Sequence, residues 1–441
     1  MSYNLSVDNK HFGQNVAFQA KGQSVNKISE ELLQNLNKKQ RFLAKVIDLK
    51  EGDAGLSHSR FTQATITNWF PKSIFARSLA DLSEITFLEV SEGALFFYLP
   101  SLMGEYFSRR KIFSKKLPQS LRSEVSKPVK EIIKDTKSAQ KLLPVKAAIV
   151  MSCAAIPAAE YALSFAKNLF TLKVFKKADF SSVVNLDKNK KEDKSAQERV
   201  EKSSISHIKK AGLFSAAAFG LSLLIGTFGQ KSKLVAKLSE AFLNPGAKIY
   251  KGLNKCGVES QKLSKFLDKY LNLDFARKAD GSLALGNGQL AVTVLSGVGG
   301  YFGAAKDRGK LDVQEVATRV PVIALYTIFG SSLFDEGFKR ILYNNHKFAD
   351  ILKYDKQTKE FSVAKLNDIP TIAKDLSKGD SALLKQKTLE LFKGKATIAM
   401  VPFLFSLVVV GGLLALISRL WTQYRYNHGV GNDNFQKQNQ A

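Results

Sequence analysis

Ala396 to Ser418 reads ATIAMVPFLFSLVVVGGLLALIS, 23 residues without a single acid or base. Lys395 precedes it and Arg419-Leu420-Trp421 follow it. An α-helix rises about 1.5 Å per residue, so about 20 mostly apolar residues cross a hydrocarbon core of about 30 Å. The basic residues and the indole sit where interface anchors belong. The stretch is apolar around the whole helix circumference, whereas a helix on the surface of a soluble domain needs only one apolar stripe. It predicts a membrane-spanning helix.

Working outward, Ala211 to Gln230 gives 20 uncharged residues between Lys210 and Lys231, and Gly281 to Ala305 gives 25 between Asp280 and Lys306. These three segments meet the length requirement outright. Three others are shorter or interrupted. Ile85 to Phe107 carries Glu89, Glu92 and Glu105; Pro144 to Phe170 carries Lys146, Glu160 and Lys167; Val320 to Phe334 has 15 uncharged residues between Arg319 and Asp335. Windows of that kind also suit a buried helix of a soluble core. Together the segments predict an all-α, polytopic transmembrane bundle of about six spans, near 85–107, 144–170, 211–230, 281–305, 320–334 and 396–418. The membrane domain so read covers 81–421, between a polar N-terminal region (1–80) and a polar C-terminal tail (422–441).

The remainder of the 441 residues is strongly basic. Lys and Arg number 66 against 39 Asp and Glu, a formal charge of +27. A hydrophobic share of 45% excludes wholesale disorder, and two cysteines exclude a disulfide scaffold or a multi-cysteine zinc site. Residues 1–25 lack the apolar stretch of a secretory signal, so insertion is expected to use an internal span. Every loop is basic; the Lys/Arg excess places the first, third and fifth loops inside and both termini outside.

From Val25 to Asp48, the residues Ile28, Leu32, Leu36 and Phe42 fall near one helical face, the pattern of a helix covering a soluble cap. Arg109-Arg110-Lys111 and Lys115-Lys116 follow the first span; such clusters attract anionic head groups at about 1 kcal/mol per charge, besides anchoring topology. Residues 186–210 read as an exposed helix running into the third span. On either side of the turn at Asn244-Pro245-Gly246, Leu234, Leu238 and Phe242, then Leu263, Phe266, Leu267 and Tyr270, recur at helical spacing among lysines. Two arrangements suit them: helices lying in the membrane interface with snorkelling lysines, or a helical hairpin packed on itself.

No catalytic signature is present. There is no Walker A loop, HExxH, GxSxG or CxxC, and no cofactor or metal site is expected. The glycines of SGVGGYFGAA miss the dinucleotide spacing because position 302 is Phe. They suit helix contact instead: Gly299 and Gly303 form a GxxxG pair, and Gly212, Ala216 and Gly220 repeat the spacing in the third span. A homo-oligomer could share such a face. The outline of three helix pairs with long basic loops resembles mitochondrial carriers, but no proline starts their Pro, acid, base signature, and the resemblance ends there.

Intramembrane acids are the candidates for function. Glu160 follows Pro157, which frees the Cys153 carbonyl one turn back; an ionised carboxylate there costs at least about 2.5–3.5 kcal/mol on insertion scales, so it is expected to face the bundle, paired or protonated. Glu89 and Glu92 share one helix face, and Arg319 borders the fifth span. Pairing of Glu160 or Glu89 with Arg319 or Lys146 is one expectation; a cation or proton path is another. The reading is a non-enzymatic integral membrane protein, transporter-like, or alternatively a membrane scaffold or membrane-shaping protein. Its expected partner is the lipid bilayer with anionic head groups. Nucleic acid is not expected, since no binding module accompanies the charge.

Overall fold

The computed structural model describes residues 28–51 and 65–430, apart from parts of 96–111 and the stretches 188–192, 278–282 and 357–359. Its principal helices, in chain order, are α1 (Glu30–Gln34), α2 (Lys38–Glu51), α3 (Leu79–Gly93), α4 (Thr136–Ser152), α5 (Ala155–Phe175) and α6 (Lys194–Phe228). There follow α7 (Lys233–Leu243), α8 (Pro245–Lys255), α9 (Gln261–Tyr270), α10 (Asn287–Arg308), α11 (Lys310–Leu325), α12 (Ser331–Asn344), α13 (Ile369–Ser377), α14 (Ser381–Phe405) and α15 (Leu414–Asn427). Two short antiparallel hairpins interrupt this all-α architecture: β1 (Phe275–Arg277) with β2 (Leu283–Leu285), and β3 (Leu352–Asp355) with β4 (Glu360–Val363).

Four helical stretches are long and apolar enough to cross a membrane: Thr136–Phe175, Lys194–Lys231, Lys310–Asn344 and Ser381–Asn427. They contain the expected spans 144–170, 211–230, 320–334 and 396–418. The other two expected spans are not among them. Within 281–305, Leu283–Leu285 form the strand β2, and the helix that follows, α10, is diluted by glycines and a polar first turn. Of 85–107, the helix α3 covers the first part, and much of the apolar remainder lies outside the described residues.

In three of the four stretches only 17% of the most apolar window is buried inside the protein. Leu213, Phe214, Leu224 and Phe228 of α6, Leu325 of α11, and Val408 and Leu420 of the last stretch are exposed. Each such side chain left in water forgoes about 1.5–3 kcal/mol, which a hydrocarbon surrounding restores. Thr136–Phe175 differs, with 72% of its apolar window buried. It is interrupted at Cys153-Ala154, where Pro157 cannot donate a hydrogen bond. The Cys153 carbonyl is nevertheless not free, as the proline had suggested, because the Ile156 amide donates to it at 3.0 Å.

The chain divides into two compact units. One comprises residues 1–71 and 329–412. Its core joins Ile28, Leu32, Ala44 and Ile47 to Ile351, Ile369, Phe392 and Ile398. The expected helix over Val25–Asp48 is two helices, because Asn37 caps α2: its Oδ1 accepts from the Gln40 amide at 2.9 Å and its amide donates to Gln40 Oε1 at 3.0 Å. The break shifts the phase of the apolar stripe. Ala44 and Ile47 are buried in place of Phe42, which is 70% exposed.

The other unit comprises residues 72–328 and 413–441. One core cluster gathers Phe113, Leu117, Val125, Leu142, Val145, Ala148 and Phe275. The helices α7, α8 and α9 are capped by Ser232, Asn244 and Ser260. Gly246 abuts the Leu267 backbone so closely that a Cβ would come 2.2 Å from its carbonyl oxygen. The segment therefore packs on itself through small residues, while Leu234, Leu238, Ile249 and Phe266 point outward.

Candidate functional site: a buried ionic seam

Along α5, Glu160, Ser164, Lys167, Asn168 and Thr171 are all buried. They fall at i, i+4, i+7, i+8 and i+11, the interval that keeps side chains on one helix face. Three helices answer with polar stripes of the same period: Asp81, Glu84, Glu89 and Glu92 on α3; Tyr301 and Arg308 on α10; Asp312, Glu315 and Arg319 on α11. Arg419 and Thr422 on α15 complete the seam.

At one end, Glu84 Oε1 accepts from Thr171 Oγ1 at 2.5 Å, and its Oε2 lies 3.1 Å from Arg308 Nη1 and 3.6 Å from Lys167 Nζ. Arg308 also donates to Asn168 Oδ1 at 3.1 Å and stands 3.6 Å from Asp312. The Asn168 amide donates in turn to the Ala304 carbonyl at 2.9 Å, tying α5 to α10. Beside this group, Asp81 Oδ2 lies 3.0 Å from Arg419 Nη1 and accepts from the Arg77 amide at 2.9 Å. Glu315 Oε2 receives Arg77 Nη2 at 3.0 Å and Thr422 Oγ1 at 2.9 Å, with Arg319 Nη1 4.0 Å from Oε1. Farther along, Lys72 pairs with Glu89, and the Tyr301 hydroxyl donates to Glu92.

Desolvated charges are tolerated when paired and hydrogen-bonded; removing one partner of a buried pair costs about 3–5 kcal/mol. The seam balances its charges almost completely. Asp81, Glu84, Glu89, Asp312 and Glu315 each have a cation within 4.0 Å. Among the described residues, Glu92 and Glu160 are the seam acids without one. Both are close to Glu89 electrostatically, and Glu160 is buried with Oε2 unpartnered.

The structure thus brings together all four charged residues singled out in the sequence, but not in the expected pairs. Arg319 answers Glu315 rather than Glu160 or Glu89. Lys146 lies elsewhere, fully buried, 2.9 Å from Asp274, with its Nζ donating to the carbonyls of Val125, Lys127 and Phe275. Arg308, Glu84, Lys167 and Asp312 were not singled out. Their signal was the period of polar residues in otherwise apolar helices, visible only when those helices are set side by side.

The glycine expectations divide similarly. On α10 the tight positions are Gly297, Gly300 and Gly303, which would set a Cβ 2.8 Å from Glu160 Oε1, 2.3 Å from the Tyr161 carbonyl oxygen and 2.8 Å from Phe165 Cζ. Gly299 has only an ordinary contact, at 3.9 Å. Gly212 and Gly220 have nothing within 4 Å, and Ala216 between them is exposed. Among the described residues nothing packs against Gly212 or Gly220, whereas Gly226, farther along α6, abuts Phe113 and Ala148. Among the described residues no group of three acids, histidines or cysteines could hold a metal ion. No family model, curated protein or solved structure matches this chain.

Proposed function

We propose that the protein is a multi-pass integral membrane transporter without catalytic activity, whose translocated ion or solute moves along the ionic seam. The observation that carries this reading is the seam itself: acids and bases line the facing sides of α3, α5, α10, α11 and α15, and α10, α11 and α15 leave apolar residues such as Leu295, Leu325 and Leu420 exposed. Ionisable groups at membrane depth are costly, and those retained face the bundle interior and mark ion or substrate pathways. In this reading α3 and α10 join the four candidate spans within the bilayer, giving about six, and the lysines of α7–α9 meet anionic head groups while Leu234, Leu238 and Phe266 enter the interface.

The test is reconstitution into proteoliposomes, with currents recorded on concentration jumps of sodium, potassium, chloride and mixed amino acids. A transporter gives a current for one of these that R308Q abolishes. No current with any probe, from protein shown to be folded and inserted, counts against it. The alternative is a non-enzymatic membrane scaffold, favoured by the Gly212, Ala216, Gly220 stripe, which no described residue covers at its glycines and which would let a second copy approach α6 closely. A scaffold loses self-association in G220L and is indifferent to R308Q beyond stability.

A further inference from the structure

Glu160 and Ser164 stand one turn apart on α5, 2% and 1% exposed, and each carries an oxygen without a hydrogen-bond partner, Glu160 Oε2 and Ser164 Oγ. Side chains at i and i+4 are neighbours, with about 5–6 Å between their Cβ atoms. Buried polar atoms are satisfied in folded proteins with few exceptions, so two orphans on the same turn need an explanation.

The surroundings restrict what can supply it. From α10, Gly297 approaches Glu160 Oε1 so closely that a single Cβ would meet it at 2.8 Å. From α3, the nearby groups are Glu89, already paired with Lys72, and Glu92, which accepts from Tyr301 of α10. From α6, His207 is engaged by the Tyr161 hydroxyl at 2.7 Å and stacks on Phe165. No cation lies within 4.0 Å of Glu160 among the described residues, and the acids do not converge into a set that could ligate a metal ion.

A proton is the one cation that fits. We infer that Glu160 is a proton-binding site of the seam. Binding adds H⁺ to a carboxylate oxygen and converts the charged carboxylate to a neutral carboxylic acid, which needs no counter-cation. Release returns the carboxylate and the proton to the path. This deepens the transporter reading by naming the coupling ion, and rests on it for the consequence of binding, though not for binding itself.

The experiment has two readouts on the full chain. pH-difference infrared spectroscopy of the purified protein in lipid nanodiscs reads protonated buried carboxyls directly. Proton uptake into proteoliposomes holding a pH-sensitive dye, driven by a potassium diffusion potential, reads transport. The wild type is expected to show a protonated-carboxyl band that E160Q removes and E160D retains at a shifted frequency, and E160Q is expected to slow proton uptake at least tenfold. Thermal unfolding and gel filtration show whether E160Q and E160D are folded; should E160Q not fold, the E160D spectrum decides alone, an unshifted band overturning the inference. Loss of the band in E160Q with no proton uptake even in the wild type supports the binding site and overturns the assignment of the proton as coupling ion; the transporter reading falls only if the wild type also carries no current with any probe. Spectra of wild type and E160Q that superimpose overturn the inference whatever the uptake shows, as does undiminished uptake by an E160Q that lacks the band.

Discussion

Arg308 Nη1 holds Glu84 Oε2 at 3.1 Å, joining the last turn of α10 to α3 across 224 residues of chain. The same guanidinium reaches Asn168 on α5 and Asp312 on α11, so one side chain is shared by four helices. Substituting Arg308 leaves two carboxylates with a single remaining cation, Lys167. R308Q is expected to lower stability by about 3–5 kcal/mol, the cost of leaving buried charge unpaired. The double variant R308Q/E84Q should recover part of it. Thermal unfolding in detergent, read as a two-by-two cycle, measures the coupling; strict additivity would mean that the pair is not a unit.

Gly300 and Gly220 make opposite predictions. A Cβ at Gly300 meets the Tyr161 carbonyl oxygen at 2.3 Å, a backbone atom that can yield only if α5 and α10 separate. G300A is therefore expected to cost about 1–3 kcal/mol or more. G220A meets nothing and should leave the thermal midpoint unchanged or slightly raised, since alanine favours helix by about 1 kcal/mol over glycine. Equal effects at the two sites would contradict the contact geometry.

Leu224 is 57% exposed within the apolar half of α6. An exposed leucine on a water-soluble protein tolerates arginine almost without cost. One facing hydrocarbon does not, and L224R at mid-span is expected to cost about 2.5–3.5 kcal/mol of insertion free energy. The measure is the carbonate-resistant fraction of the expressed protein: it should fall severalfold for L224R and stay constant for K353E at exposed Lys353 of β3.

Asp193 begins α6, where its Oδ1 accepts from the Ser195 amide at 2.9 Å and its Oδ2 from the Ser195 hydroxyl at 2.5 Å. The hydroxyl bond, and after it the amide bond, hold the Asp193 carboxyl below the usual carboxylate range. A depressed folded-state value means that the cap's contribution is complete above the unfolded-state pKa and is lost as pH falls through the folded-state pKa. Amide exchange at Ala196 and Gln197 should therefore accelerate on acidification through that range. In D193A it should be fast throughout and lose this pH response, after correction for intrinsic exchange.

Cys256 is exposed after α8, and Cys153 is buried at the break between α4 and α5. A water-soluble maleimide should modify Cys256 alone in the native protein and both only after denaturation. Native labelling at both positions would place the helix break at an open surface.

Much of the helical architecture was legible because long apolar runs leave few alternatives. The runs 144–170, 211–230, 320–334 and 396–418 all lie in long apolar helical stretches. The reading of 281–305 went less well because counting uncharged residues gives glycine and asparagine the same weight as leucine, and Leu283–Leu285 pair with Phe275–Arg277 as strands. For the seam, Glu160, Glu89, Glu92 and Arg319 stood out as charges near apolar sequence. Arg308 and Asp312 did not, since they lie just beyond an apolar run, where a charge reads as a solvated end. Their burial is a tertiary fact: the two pair with each other across the Gly309 turn, but Arg308 meets Glu84 and Asn168 only once α3 and α5 are set beside α10.

Pro402 lies in α14, and the turns that follow it, Ser406–Leu413, are wound as π-helix before α15 begins. Beyond it, α15 buries Ala415, Ser418, Arg419 and Thr422 on one face. Inserting one residue between Ala415 and Ser418 would turn Arg419 and Thr422 by about 100° relative to Ala415, swinging Arg419 away from Asp81 and presenting a neighbouring side chain instead. That turn of α15 is in effect a vernier: a single-residue insertion there re-dials which of its residues line the seam, with every residue of α3, α5, α10 and α11 left as it is.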